Sequence, residues 1–119
     1  MARDAPQIDA YGGGGFRLST GRHEGSLLIL RDEAQVWPVR SLADLTLESF
    51  AEVFAAGRAE VEFVLLGVGA VNALPPRAVR DALQKAGIGL EFMDTAAACR
   101  VYNILTAEGR KLAAAMIAV

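Results

Sequence analysis

Short apolar segments separated by turn residues occupy the first third of the chain. Glycines, charged pairs and a proline interrupt them, and segments of this length and spacing are typical of antiparallel strands. Residues 1–7 are polar, and we expect a flexible tail there, followed by a single domain over 8–119. The predicted strands are Ile8–Tyr11, Phe16–Leu18, Ser26–Leu30 and Ala34–Val39, with a turn over 20–25.

The rest of the chain alternates amphipathic stretches with mostly apolar runs. Capping residues and glycines predict three helices, over 47–56, from Pro75 to Gly87, and from Asp94 or Thr95 to about 108. Apolar runs predict strands over 61–66, 88–93 and 111–119, the last against the helix preference of its alanines. The residues expected to face inward are Leu47, Phe50, Val53 and Phe54 in the first helix, and Val79, Ala82, Leu83 and Ala86 in the second.

This order of elements predicts an α/β fold in one compact domain, with an antiparallel β-rich layer followed by alternating helices and strands. If the strands over 61–66 and 88–93 pair in parallel, the loops 67–74 and 94–95 lie at the same edge of the sheet. Open α/β sheets bind ligands beyond the carboxyl ends of their strands. That edge is therefore the first candidate for a binding site.

Composition narrows the function classes. The 119 residues carry 12 basic and 14 acidic side chains, for a net charge of −2, so the chain lacks the basic excess that nucleic-acid binding requires. With 53% hydrophobic residues it has material for a core. Its apolar runs are too short to span a bilayer, so we expect no membrane insertion. A single cysteine and no apolar leader indicate a cytoplasmic protein, either a monomer or a homodimer.

The glycine-rich stretch after the predicted strand at 61–66 invites a nucleotide-binding interpretation. Gly67 and Gly69 would let the backbone approach a ligand, and the following helix would favour an anion. However, Asn72 stands where the dinucleotide fingerprint needs a small residue, and no Gly-Lys-Ser/Thr follows. A tight structural turn is the simpler interpretation, and a ligand-lined edge is the alternative.

The start of the third predicted helix carries the remaining candidates. Asp94 and Thr95 are candidate caps, and Cys99 lies close to the helix N-terminus beside Arg100, a setting that can activate a thiol. A buried Cys99 that packs as a small hydrophobe is the commoner role. The single histidine has no local reason to approach it, so no catalytic set or metal site is indicated and no cofactor is expected.

Several stretches taken together resemble one family. They are residues 8–12 (IDAYG), 15–17 (GFR), 25–29 (GSLLI), Trp37, 66–69 (LGVG) and, above all, 93–103 (MDTAAACRVYN) with 108–110 (EGR). In this order they resemble the domain-of-unknown-function family that includes the mitochondrial respiratory complex I assembly factor three and the adipogenesis-associated proteins. The resemblance covers the chain from about residue 8 to its end.

The resemblance implies a compact α/β fold and, by analogy with the mitochondrial members, an assembly role with a protein partner of the respiratory-complex type. It implies no catalytic residues. The leading hypothesis is therefore a non-enzymatic interaction or assembly protein, with a partner surface at the β-rich face near Trp37 or at the edge near Gly69. The alternative is a protein that binds a small anionic molecule, or an enzyme, at the edge formed by the loops 67–74 and 94–95.

Overall fold

The computed structural model describes residues 5–119, and it is built around a mixed sheet of five strands. A separate meander of three strands, β1 (Ile8–Gly12), β2 (Gly15–Leu18) and β3 (Gly21–Glu24), precedes this sheet in the chain. β3 was not predicted. Its polar alternation around His23 suggests a turn, but a mostly exposed edge strand needs no apolar face.

The five-stranded sheet has the order β5-β4-β8-β6-β7. Its strands are β4 (Leu27–Leu30), β5 (Glu33–Val36), β6 (Phe63–Gly67), β7 (Gly89–Met93) and β8 (Leu112–Met116). β6 pairs in parallel with both β7 and β8, which confirms the predicted parallel pairing, and β4 pairs antiparallel with β5 and β8. The predicted α/β class with a β-rich N-terminal part is confirmed.

Three α-helices cover the two faces of this sheet: α1 (Ala51–Ala56), α2 (Arg77–Lys85) and α3 (Thr95–Ala107). Val53, Val79 and Leu83 from α1 and α2 pack in one core cluster with Val64 and Leu66 of β6. In the second cluster, the meander and α3 pack against the opposite face. Since β6 is buried on both faces, it reads as an unbroken apolar run rather than an alternating one.

The helices start and stop slightly differently from the prediction. Residues 47–50 form a 3-10 turn before α1, and Leu42–Asp44 form another that was not predicted. Leu47 and Ala86 were expected to face inward but are exposed, because each lies at the end of its helical segment, where the turn leaves the core. Gly57 ends α1 with a φ of 74°, as its position indicated.

The last strand confirms the prediction made against alanine's helix preference. Ala113, Ala114 and Ala115 are fully buried between β4 and β6, and side chains from both core clusters cover them. Their small size lets α3 approach the centre of the sheet. Tertiary packing therefore outweighs helix propensity here.

The N-terminal segment is attached to the domain from residue 6 onward. Residues 1–4 of the predicted tail lie outside the described residues. Pro6 is buried, and the Gln7 carbonyl accepts a hydrogen bond from the Ser19 amide at 3.0 Å.

Candidate functional site

The carboxyl ends of β6 and β7 meet at the predicted edge of the sheet. From there the chain leaves β6 toward α2 on one face and leaves β7 toward α3 on the other, since the two helices pack in opposite core clusters. Neighbouring strands whose connections diverge in this way leave a crevice between them, and that crevice is where open α/β sheets bind ligands. In this chain Gly67–Gly69 and Asp94–Thr95 flank the crevice.

Thr95 closes the crevice from within. Its side chain is fully buried, and its hydroxyl donates to the Ile117 carbonyl at 2.8 Å and accepts from the Gly69 amide at 3.0 Å. The Thr95 amide donates to the Gly69 carbonyl at 2.8 Å, and the Val68 amide donates to the Met93 carbonyl at 2.9 Å. These bonds continue the pairing of β6 and β7 past the ends of both strands.

Gly67 is a glycine because of the space around it rather than its backbone angles. A Cβ at this position would lie 2.9 Å from the Met116 sulfur, 3.0 Å from the Thr95 hydroxyl oxygen and 3.1 Å from the Thr95 Cα. The position where a ligand would approach Gly67 is therefore filled by the chain itself. Gly67 serves a close approach between β6, β8 and α3.

Asp94 accepts hydrogen bonds from backbone amides at the start of α3. Its carboxylate accepts a hydrogen bond from the Ala97 amide at 2.9 Å, and its carbonyl accepts from the Ala98 amide at 3.0 Å. Asp94 is thus the N-cap, and the negative charge that a helix N-terminus favours is supplied by the chain. An anionic ligand approaching this helix end would meet the charge of that carboxylate.

The loop after Gly69 lies on the surface. Gly69 has a φ of 114°, which turns the chain away from the crevice, and Asn72 is exposed. Val71 and Leu74 on the same loop are 78% and 61% exposed. Asn72 thus lies on an open surface with two apolar neighbours.

Cys99 packs in the core between α3 and the central sheet. It is buried in the same cluster as Ala98 and Tyr102, and burial raises the pKa of its thiol from 9.0 to about 12, although the neighbouring Arg100 lowers it. Arg100 itself is exposed. At neutral pH the thiol is therefore protonated, as expected of a buried small hydrophobe, and it is not an activated nucleophile.

The seven sequence candidates thus separate into three groups. Hydrogen bonds and packing bring Gly67, Gly69, Asp94 and Thr95 together at the end of the sheet, Cys99 lies in the core, and Asn72 and Arg100 are exposed. Within residues 5–119, no three His, Cys, Asp or Glu side chains stand close enough together to hold a metal ion. Ligand binding at this edge stays a prediction.

Tyr102 and Asn103 anchor the N-terminal segment to α3. The Tyr102 hydroxyl donates to the Pro6 carbonyl at 2.7 Å, and the Asn103 side chain bonds to both backbone groups of Ile8, each at 2.9 Å. The amide nitrogen of Asn103 donates to the Ile8 carbonyl, and its oxygen accepts from the Ile8 amide. These two polar residues of the 93–103 motif therefore serve the fold.

Trp37, suggested as part of a partner surface on the β-rich face, has a buried side chain. The Trp37 ring is buried against Phe50, with ring centroids 5.7 Å apart, and its indole N–H donates to the Ser49 carbonyl at 2.8 Å. Its neighbour Val36 is 75% exposed at the end of β5. Val36 was not among the sequence candidates, because the residues around it in β5 are mostly polar.

Two further findings concern the chain as a whole. No helix in the described part of the chain combines the length and the apolar character needed to cross a membrane. Surface hollows lie beside β5 on both faces of the sheet, and another lies between β7 and α3.

Comparison with known proteins gives relatives with and without a named role. An uncharacterised protein of Rhodobacter capsulatus is 36% identical over 110 residues, which cover 92% of this chain and 82% of that protein. A crystal structure described as an outer membrane protein from Bartonella henselae superimposes with a TM-score of 0.88 at 32% identity, over 100% of this chain and 99% of that one.

Several relatives from vertebrates carry a function in their name. The human NADH dehydrogenase [ubiquinone] 1 alpha subcomplex assembly factor 3 is 34% identical over 116 residues, which cover 98% of this chain. The chain spans only 62% of the length of the human protein. The family model for proteins of unknown function DUF498/DUF598 matches residues 8–117, and the chain therefore belongs to that family.

Proposed function

We propose that the protein is a non-enzymatic assembly factor that acts by binding a protein partner, and that its client is an NADH dehydrogenase of the respiratory chain. The observation that carries the proposal is the 34% identity to the human assembly factor 3 over 98% of this chain. The matched region spans 98% of this chain and so takes in its whole α/β domain. Both core clusters and the closed edge therefore lie within the region that is similar to the human protein.

The chemistry of the crevice supports a role without catalysis. Thr95 is fully buried at the end of the sheet, and both its hydroxyl and its amide are paired within the chain. The single thiol is protonated at neutral pH, because burial raises its pKa. The alternative, an anionic ligand near Gly69, Asn72 and Arg100, has to compete with the carboxylate of Asp94 at the start of α3.

We also propose that the chain works in the cytoplasm. Cell fractionation tests this part directly. The chain should appear in the cytosolic fraction, or should leave the membrane fraction at high salt, because salt screens contacts between charged protein surfaces. Recovery only after detergent extraction would contradict it.

The experiment for the assembly role uses the organism that encodes the chain. After deletion of the gene, native gels stained for NADH dehydrogenase activity should show less assembled enzyme and more subassemblies, and the full chain supplied in trans should reverse this. A second respiratory enzyme serves as the control and should be unaffected. An unchanged NADH dehydrogenase in the deletion strain would overturn the proposal.

A further inference from the structure

β5 is one of the two edge strands of the central sheet, since the order is β5-β4-β8-β6-β7. It joins β4 through a two-residue turn at Arg31 and Asp32, whose φ angles are 53° and 66°. Positive φ at both central residues is the geometry that matches the twist of two paired strands. The hairpin is therefore a regular one, and its register fixes which backbone groups face outward.

Ala34 and Val36 turn their backbone groups away from β4. In such a hairpin the residues that flank the turn, Leu30 and Glu33, form a hydrogen-bonded pair, and bonded and non-bonded pairs then alternate. The Trp37 amide donates to the Ser26 carbonyl at 3.2 Å, and this alternation does place a hydrogen-bonded pair at Ser26 and Trp37. Ala34 pairs with Ile29 and Val36 with Leu27, both at the non-bonded positions.

The outer edge of β5 thus presents the N–H and C=O of Ala34 and Val36. Both residues are exposed, and Val36 keeps 75% of its surface accessible. An edge with such groups is a template on which an extended segment of another chain can add as a further strand. Strand addition gains affinity from main-chain hydrogen bonds and specificity from pockets for alternate side chains.

Two hollows flank this edge, one on each face of the sheet. The first, of about 470 Å³, lies on the meander side between Gly14, Gly25, Ala118 and the residues from Val36 to Arg40. The second, of about 240 Å³, lies toward α1 beside Gln35, Glu48 and Glu52, and Val36, Trp37 and Pro38 border both hollows. Because side chains of a strand alternate between faces, an added strand would direct successive side chains into the two hollows in turn.

The two hollows differ in charge. The α1-side hollow is lined by the carboxylates of Glu48 and Glu52, both of them exposed. The meander-side hollow is mainly apolar, and the residues that line it but not the α1-side hollow include Gly25, Val39 and Ala118, together with Arg40. A basic side chain is complementary to the α1-side hollow, and an aliphatic side chain is complementary to the meander-side hollow.

We propose that the edge of β5 is a strand-addition site for an extended segment of a partner protein in which aliphatic and basic residues alternate. The inference rests on the proposed function, since it names the surface and the chemistry by which a protein partner is bound. The backbone of Ala34 and Val36 binds the segment, the meander-side hollow takes its aliphatic side chains, and Glu48 and Glu52 in the α1-side hollow bind its basic ones.

The test uses the isotopically labelled full chain and a short synthetic peptide in which valine and lysine alternate. Binding should slow hydrogen exchange of the Ala34 and Val36 amides by about tenfold or more, since both become hydrogen-bonded. Replacing the lysines by glutamate should weaken binding by roughly tenfold, because attraction to Glu48 and Glu52 becomes repulsion. A peptide of the same composition, with its valines and lysines in two separate blocks, is the matched control and should give no protection.

Two variants of the chain make the test specific. Ala34→Pro removes an outward-facing N–H without removing a bond to β4, and Val36→Lys places a cation where an aliphatic side chain should dock. Both should abolish protection, whereas Ile104→Lys, on an α3 residue that is 60% exposed, should not. Should Ala34→Pro not fold, Val36→Lys alone decides, because Val36 is exposed and leaves the core unchanged.

Each other outcome overturns the inference. Protection of the Leu90 and Phe92 amides instead would assign binding to the edge at β7, and unchanged binding by Val36→Lys would exclude this edge. Dimers that protect Ala34 and Val36 without peptide would assign the edge to a second copy of the chain. If gene deletion impairs NADH dehydrogenase assembly but Val36→Lys restores it fully, the proposed function stands and this site fails; if deletion has no effect, the proposed function fails.

Discussion

Thr95 and Gly69 are hydrogen-bonded to each other twice. The Thr95 amide donates to the Gly69 carbonyl at 2.8 Å, and the Gly69 amide donates back to the Thr95 hydroxyl at 3.0 Å. The same hydroxyl donates to Ile117, just beyond β8, so one side chain joins the ends of three parallel strands. In this fold, the position that other α/β sheets leave open for a ligand holds a structural residue.

Substitution of Thr95 tests this structural role. Thr95→Val keeps the shape but leaves the Gly69 amide and the Ile117 carbonyl without their partner in a buried place, so we expect a loss of about 2–3 kcal/mol in the free energy of unfolding. Urea unfolding measures it. Thr95→Ser is the matched control, because it keeps the hydroxyl, and it should lose less. Equal stability of Thr95→Val and the original chain would contradict the role.

The buried thiol of Cys99 makes stability depend on alkaline pH. Its pKa is raised from 9.0 to about 12 in the folded chain, so the unfolded chain loses this proton first. The contribution is complete below about pH 9 and is lost as the pH rises toward 12. The difference in unfolding free energy between the original chain and Cys99→Ala should therefore shrink over this range.

Two measurements check this assignment of Cys99. Unfolding curves at several pH values should converge as described; parallel curves for the two proteins would contradict a raised pKa. Iodoacetamide should also modify the thiol far more slowly in the folded chain than in urea at neutral pH, because the thiolate is the reactive form. Equal rates would show that Cys99 is accessible and activated.

Tyr102 should control the order of the N-terminal segment. Tyr102→Phe removes the hydroxyl that donates to the buried Pro6 carbonyl at 2.7 Å, and we expect a loss of about 1 kcal/mol. Hydrogen exchange should speed up in residues 6–8 more than in β6. The control is Asn103→Ala, which removes both bonds to Ile8 and should release the same segment. Unchanged exchange at residues 6–8 in Tyr102→Phe would contradict this anchoring.

The order of elements follows largely from local patterns. Apolar periodicity with glycine and proline boundaries locates the five strands of the central sheet and the three helices, including the alanine-rich β8. The pattern fails at β3, because exposed strands carry no apolar alternation, and at Leu47, because a helical stripe does not tell where the helix end leaves the core. Both failures concern exposed positions, where burial does not constrain the sequence.

The sequence predicted which residues meet at the candidate site, but not how they pack there. Strand order and the parallel pairing bring Gly67, Gly69, Asp94 and Thr95 to one edge, as predicted. That Thr95 fills the crevice depends on Met116 and Ile117 of the distant C-terminal segment, which no local pattern connects to it. That the backbone N–H and C=O of Val36 face away from β4 likewise depends on the register of the β4–β5 hairpin.

The central claim is that the protein acts by binding another protein, and not by binding or converting a ligand at the crevice. The most direct measurement is the amount of assembled NADH dehydrogenase on native gels of the deletion strain supplied with one of two variants. The variant Asn72→Ala with Arg100→Ala removes the two exposed polar candidates for ligand binding and should restore the original amount, whereas Val36→Lys should not. Failure of the Asn72 and Arg100 variant, at normal levels of folded protein and with Val36→Lys fully active, would contradict the claim.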